Sequence, residues 1–134
     1  MANPAEVYNM IQLLLQNAKL VTQKKLTCSD VARTHNRLLV RVNQIKLEVF
    51  LNEEELGVIG AQESVPVRVI GPGSVESNLQ FKKYNLSETA KFYAITHGWG
   101  GFVRRTGLQV MDTIQLWSFR VNGNLCFAVA KVEL

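Results

Sequence analysis

At 134 residues the chain has the length of one compact domain, which at this size removes about two-thirds of its unfolded surface from water. A hydrophobic content of 47% against 19% charged residues excludes a disordered polyelectrolyte, and no apolar run approaches the roughly 20 residues of a bilayer span. The net charge of +4 is modest, but its distribution is uneven. Lys19 to Lys46 holds seven basic residues against Asp30 alone, and Lys82 to Arg105 holds five against Glu88, whereas Glu48 to Glu63 holds five carboxylates and no base. If the two basic spans meet on one face, they form the footprint of a polyanion binder.

The first residues, MANPAEVYNM, lack the basic start and apolar heart of a secretory signal, so the chain is expected inside the cell. Asn3 is a candidate N-cap, Pro4 fits the first helical position and Glu6 stands three residues after the cap. Val7, Met10, Ile11 and Leu14 follow at helical spacing, so residues 1–18 are expected as an amphipathic helix packed on a domain spanning 19–134. From Lys19 the texture changes to short apolar runs. KLVTQKKL, RLLVRV, VPVRVI, NLQFKKY, KFYAIT, TIQLWSFR and LCFAVAKV each predict a strand.

Between the last two strands, Asn122-Gly123 is a strong hairpin signal, since both central residues must accept positive φ. Gly71-Pro72-Gly73-Ser74 marks another turn. Two segments interrupt the strands. VNQIKLEVFLNEEELG carries Val42, Ile45, Val49 and Leu56 at helical spacing, and HGWGGFVRRTG predicts a short turn or helix around Trp99. The fold class is mostly β: a curled sheet or open barrel with short helices.

Catalytic chemistry is poorly supplied. His35 and His97 are the only histidines, neither sits beside a recognisable relay, and HGWGG lacks the Lys-Ser or Lys-Thr of a phosphate loop. Trp99 and Phe102 read as core anchors, and Asp30 and Asp112 as turn organisers. Cys28 and Cys126 have no Cys or His at ligand spacing, so they are expected as buried or half-buried free thiols. No enzyme activity, cofactor or metal is expected.

Five separated blocks then carry a resemblance: Leu26-Thr27-x-Ser29-Asp30-Val31, Arg37-Leu38-Leu39, Gly98-Trp99-x-x-Phe102-Val103, Leu108 with Asp112-x-Ile114-x-Leu116-Trp117-Ser118-Phe119-Arg120, and Leu125-Cys126-Phe127-Ala128. In this order, from about Lys19 to Val132, the chain resembles the plant-specific B3 DNA-binding domain, nearest the branch of small B3 proteins. The resemblance implies a seven-stranded open pseudobarrel with two short helices, here preceded by the N-terminal helix. It also implies a nuclear, sequence-specific, double-stranded DNA-binding regulator of transcription. In that family two arms grip the major groove, and here they fall within Lys24 to Arg37 and within Lys82 to Lys91.

Arg and Asn side chains suit paired bonds to base edges, so Arg33, Asn36, Arg37 and Asn85 are the candidate base readers. Lys24, Lys25, Lys82, Lys83 and Lys91 are candidates for phosphates, where a flexible point charge suffices. Thr34, His35, Tyr84 and Ser87 join them as further backbone contacts. The chain departs from the auxin-type pattern, with His35-Asn36-Arg37 in place of His-Gly-Gly and neither arginine nor proline between Lys82 and Lys91. An auxin-type target is therefore not expected. The alternative is a protein-interaction module on the same fold with weak or lost DNA binding, and protein partners or a homodimer stay open; no membrane partner is expected.

Overall fold

A computed structural model of the chain describes residues 18–32 and 34–133. The expected N-terminal helix and Arg33 lie outside the described residues. All seven predicted strands form: β1 (Lys19–Lys25), β2 (Leu38–Arg41), β3 (Val65–Ile70), β4 (Glu76–Asn85), β5 (Lys91–Thr96), β6 (Thr113–Val121) and β7 (Asn124–Val132). They make one sheet in the order β1-β6-β7-β3-β4-β5-β2, antiparallel except where β3 runs parallel to β7.

Alternation drives the curl. Val65, Val67 and Val69 of β3, Leu79 and Phe81 of β4, Ile114 and Leu116 of β6, and Leu125, Phe127 and Val129 of β7 are all buried on one face. The rings of Phe50, Phe81 and Phe127 meet edge to face at its centre, with centroids 5.3 to 6.1 Å apart. The Asn122-Gly123 turn takes positive φ at both residues, 51° and 82°, as the hairpin signal requires.

The barrel is nearly closed, and its seam lies between the two edge strands, β1 and β2. There the Lys24 ammonium, on β1, donates to the Leu39 carbonyl of β2 and to Asp30. A side chain thus supplies the link that a strand ladder supplies elsewhere.

Among the described residues three α-helices join the strands: α1 (Cys28–Val31), α2 (Glu53–Gly60) and α3 (Trp99–Thr106). The segment 42–57, with apolar residues at helical spacing, forms its helical structure in separate short pieces. Two 3-10 turns, Val42–Gln44 and Leu47–Val49, precede α2, because Asn52 starts a new helix with a capping box: its side chain accepts from the Glu55 amide and Glu55 accepts from the Asn52 amide. Cys28 is a correction to the expected thiols. It is exposed at the first position of α1, while Cys126 is buried, and burial pushes the Cys126 thiol up against the opposing pull of Arg68 and Arg120.

Glu55 also fixes α2 to β6. Arg120 grips its carboxylate with two bonds of 2.8 and 2.5 Å and donates further to the carbonyls of Phe50 and Gly123. Burial raises the Glu55 pKa, but the Arg120 hydrogen bonds, the Asn52 amide and the Arg120 charge together leave it below the ordinary value. A carboxylate lowered on folding contributes stability above its unfolded pKa, about 4.3, and loses that contribution as pH falls through the folded value. Glu55→Gln should therefore lower the urea midpoint at pH 7 and flatten its decline below about pH 4.3.

Candidate nucleic-acid interface

The first arm, between β1 and β2, is built on a one-turn helix. Thr27 caps α1, and Asp30, 3% exposed, accepts from the Thr27 amide at 2.9 Å and from its hydroxyl at 3.0 Å. Lys24 approaches the same carboxylate at 3.0 Å. The indole of Trp99, 0% exposed, donates to the Asp30 carbonyl at 2.8 Å, which ties the arm's base to α3. Leu26 exchanges backbone bonds with Met111 and Asp112. Thr34 and His35 stand exposed beyond these anchors.

Gly98 precedes α3 at φ 128°, where a Cβ would meet the Leu79 side chain at 2.8 Å. Glycine is the residue that permits both the conformation and the close approach.

The second arm is the β4–β5 hairpin. Asn85 pairs with Lys91, and Leu86 donates back to Ala90. The Ser87 hydroxyl accepts from the amides of Thr89 and Ala90 at 3.3 and 3.0 Å, which fixes the loop.

Strand order brings the arms together, because β5 pairs with β4 on one side and β2 on the other. Arg37, at the end of the first arm, reaches across β5 and lays its guanidinium 4.8 Å from the centre of the Tyr84 ring on β4. Beside it, Arg41 stacks over Phe92 at 5.3 Å. Register explains the arrangement: Tyr84 pairs with Phe92, and Phe92 with Arg41, in one cross-strand row of the outer face. Ala94 and Lys82 pair one step along that face. Ala94 is only 1% exposed, although its side chain lies opposite the core.

The predicted site residues divide accordingly. Arg37, Tyr84 and Lys82 share the outer face. Lys83 does not: it pairs with Tyr93, whose ring stacks on Phe81 of the core, so period-two alternation turns Lys83 away from Lys82. Asn85 and Lys91 follow Lys83 in that alternation, at the root of the hairpin loop. Lys25 is exposed near the end of β1.

Two of the predicted residues are engaged within the fold. Lys24 is held at the seam by Asp30 and Leu39, so its charge is already engaged within the fold. Asn36, at φ 51°, accepts from the Gly100 amide at 2.7 Å, so its side chain satisfies an unpaired donor at the start of α3. That bond occupies the oxygen which paired recognition of adenine requires.

Arg41 and Phe92 were missed by sequence reasoning. The signal was present in RLLVRV, since Arg37 and Arg41 are four apart and a period of two places both on one side. Among the described residues, ion pairs form at Lys24, Arg120 and Lys131. Arg37, Arg41, Lys82 and Lys91 enter none, which leaves the outer face and hairpin with uncompensated positive charge.

Comparison with known proteins agrees with this architecture. The family model for "B3 domain-containing protein At2g31720-like" matches residues 5–133. The B3 domain-containing protein At3g25182 of Arabidopsis thaliana is 33% identical over 127 residues, covering 87% of this chain and 36% of that protein. At2g32645, from the same plant, is 30% identical over 123 residues, covering 84% of this chain and 65% of its own length. The chain thus spans little more than a third of the first of these relatives.

Among solved structures, the Arabidopsis FUS3–DNA complex superposes with a TM-score of 0.61 at 20% identity, covering 86% of this chain and 98% of that one. The Arabidopsis LEC2–DNA complex gives 0.60 at 15% identity, covering 84% and 93%. A seven-stranded barrel with this strand order, matched over nearly its whole length, identifies the chain as a member of the B3 domain-containing family.

Proposed function

We propose that this chain binds double-stranded DNA in the major groove through the outer face of β2, β5 and β4 together with the two flanking loops, and so acts as a transcriptional regulator in the nucleus. The observation that carries this reading is the contact of Arg37 with Tyr84, which joins the two arms over β5 on a face whose cations form no ion pair among the described residues. Solved relatives of this fold described as DNA complexes support it.

Stacking on Tyr84 restricts the rotamers of the Arg37 guanidinium, whose Nη1 also donates to the His35 carbonyl at 3.4 Å. Arg37 is therefore the first candidate base reader, and Arg33 and Asn85 are candidates by residue type. Lys82, Lys91 and Lys25 suit phosphates, as does Arg41, whereas Lys83 points to the other side of β4. Thr34, His35 and Tyr84 add polar bonds to the sugar-phosphate backbone, and Ser87 shapes the hairpin that presents the lysines.

A shift assay with a random duplex library, repeated across salt concentrations, tests the reading. With about five phosphates neutralised, log affinity should fall against log salt with a slope of about −4 to −5, and the bound fraction should yield a consensus. Absence of binding at moderate salt would favour the protein-interaction module instead.

A further inference from the structure

Among the described residues, the exposed large apolar side chains are Leu20, Val49, Leu86, Val110 and Met111, and of these Leu86 alone stands on one of the two arms. Single exposed leucines are ordinary on protein surfaces, so placement decides what this one can do. Tyr84 and Phe92 pair in the outer row that carries Arg41. Two residues nearer the tip of the hairpin, Leu86 follows Tyr84 and Ala90 follows Phe92, and the Leu86 amide donates to the Ala90 carbonyl at 2.9 Å. Strand alternation therefore continues past the last ladder pair, Asn85 with Lys91, and places Leu86 on the side where Arg37 stacks on Tyr84. Two strand residues span about 7 Å.

The leucine is also held. The Ser87 amide donates to the same Ala90 carbonyl at 3.4 Å, and the Ser87 hydroxyl accepts from the amides of Thr89 and Ala90, so the loop that carries Leu86 is closed by its own bonds. A fixed loop thus presents a side chain 56% exposed to water on an arm whose other outward groups are polar or charged. Base edges in the major groove offer hydrogen-bonding groups and a single apolar one, the C5-methyl of thymine. About 7 Å is about two base-pair steps, so a groove whose base edges meet Arg37 also brings a base edge to Leu86.

We propose that Leu86 is a specificity-determining residue that packs on the C5-methyl group of a thymine in the bound duplex. The inference rests on the DNA-binding reading above and adds to it the base type that the second arm selects.

Duplexes recovered by the full chain from the random library are resynthesised with uracil in place of each thymine in turn, which removes the methyl group and keeps the base pair. At one position or more the change should weaken binding about fourfold, the worth of one buried methyl group. With Leu86→Ala the thymine and uracil duplexes should bind equally, whereas Leu86→Met, which keeps an apolar side chain of similar volume, should retain the preference. Val49→Ala, at an exposed apolar residue outside both arms, should leave the preference at its original strength. Truncating an exposed side chain costs little stability, so the variants should share the urea midpoint of the parent chain, which separates a lost contact from a lost fold. Binding that ignores every thymine methyl group, or a preference that survives Leu86→Ala, overturns this inference and leaves the DNA-binding reading standing. Binding to no duplex overturns both.

Discussion

Asp30→Ala should lower the free energy of unfolding by about 3 to 5 kcal/mol, the range for removing one partner of a buried, hydrogen-bonded ion pair. The carboxylate accepts from the amide and hydroxyl of Thr27, and its loss leaves the Lys24 ammonium without its counter-charge at the seam of the barrel. The capping box of α1 fails at the same time. The bond from the Trp99 indole survives, because it goes to the Asp30 carbonyl. The variant should therefore keep its barrel while loosening the arm that rests on α1. Urea unfolding measures the first effect, and faster amide exchange at residues 34–37 than in β4 measures the second. A loss below about 1 kcal/mol would mean that the seam does not depend on this carboxylate.

The second large effect concerns the outer face. Arg37→Ala/Arg41→Ala should weaken duplex binding by about 2 to 6 kcal/mol, roughly 30-fold or more, if each guanidinium contributes within the range of a good base or phosphate contact. Removing two positive charges also lowers net charge, so location must be separated from charge alone. Arg68→Ala supplies that control. Arg68 is exposed in the row with Cys126, away from Arg41 and Phe92, and its loss should change affinity by no more than about 0.5 kcal/mol. Equal effects from the two would show that the protein attracts DNA by its overall charge and has no defined reading face.

The pattern of strands was legible because strand physics is local. VPVRVI and TIQLWSFR announce one buried face by alternation, and Asn122-Gly123 announces a hairpin by its backbone demand. The meeting of the two basic arms was legible only through family resemblance, since it depends on β5 lying between β2 and β4. The surroundings of single side chains were not legible, because tertiary placement decides them. Lys24 and Lys25 are neighbours in sequence, yet the period of two sends Lys24 to the seam, where Asp30 and Leu39 hold it, and leaves Lys25 exposed. Lys82 and Lys83 part in the same way. Asn36 looked like a base reader by residue type, but a donor 64 positions away at the start of α3 claims its oxygen. The division of the segment 42–57 into separate short helices has a local cause that spacing of apolar residues alone does not reveal, the capping box at Asn52.

Mapping backbone amide NMR shifts on titration with a 20-base-pair duplex at about 0.1 M salt tests the central claim most directly. The account predicts perturbations clustered at residues 34–41, 82–84 and the hairpin 85–92, with α2 and the turn at Asn122-Gly123 unmoved. Shifts centred on α2 or on the face of Phe119 and Arg68, with the two arms silent, would contradict it.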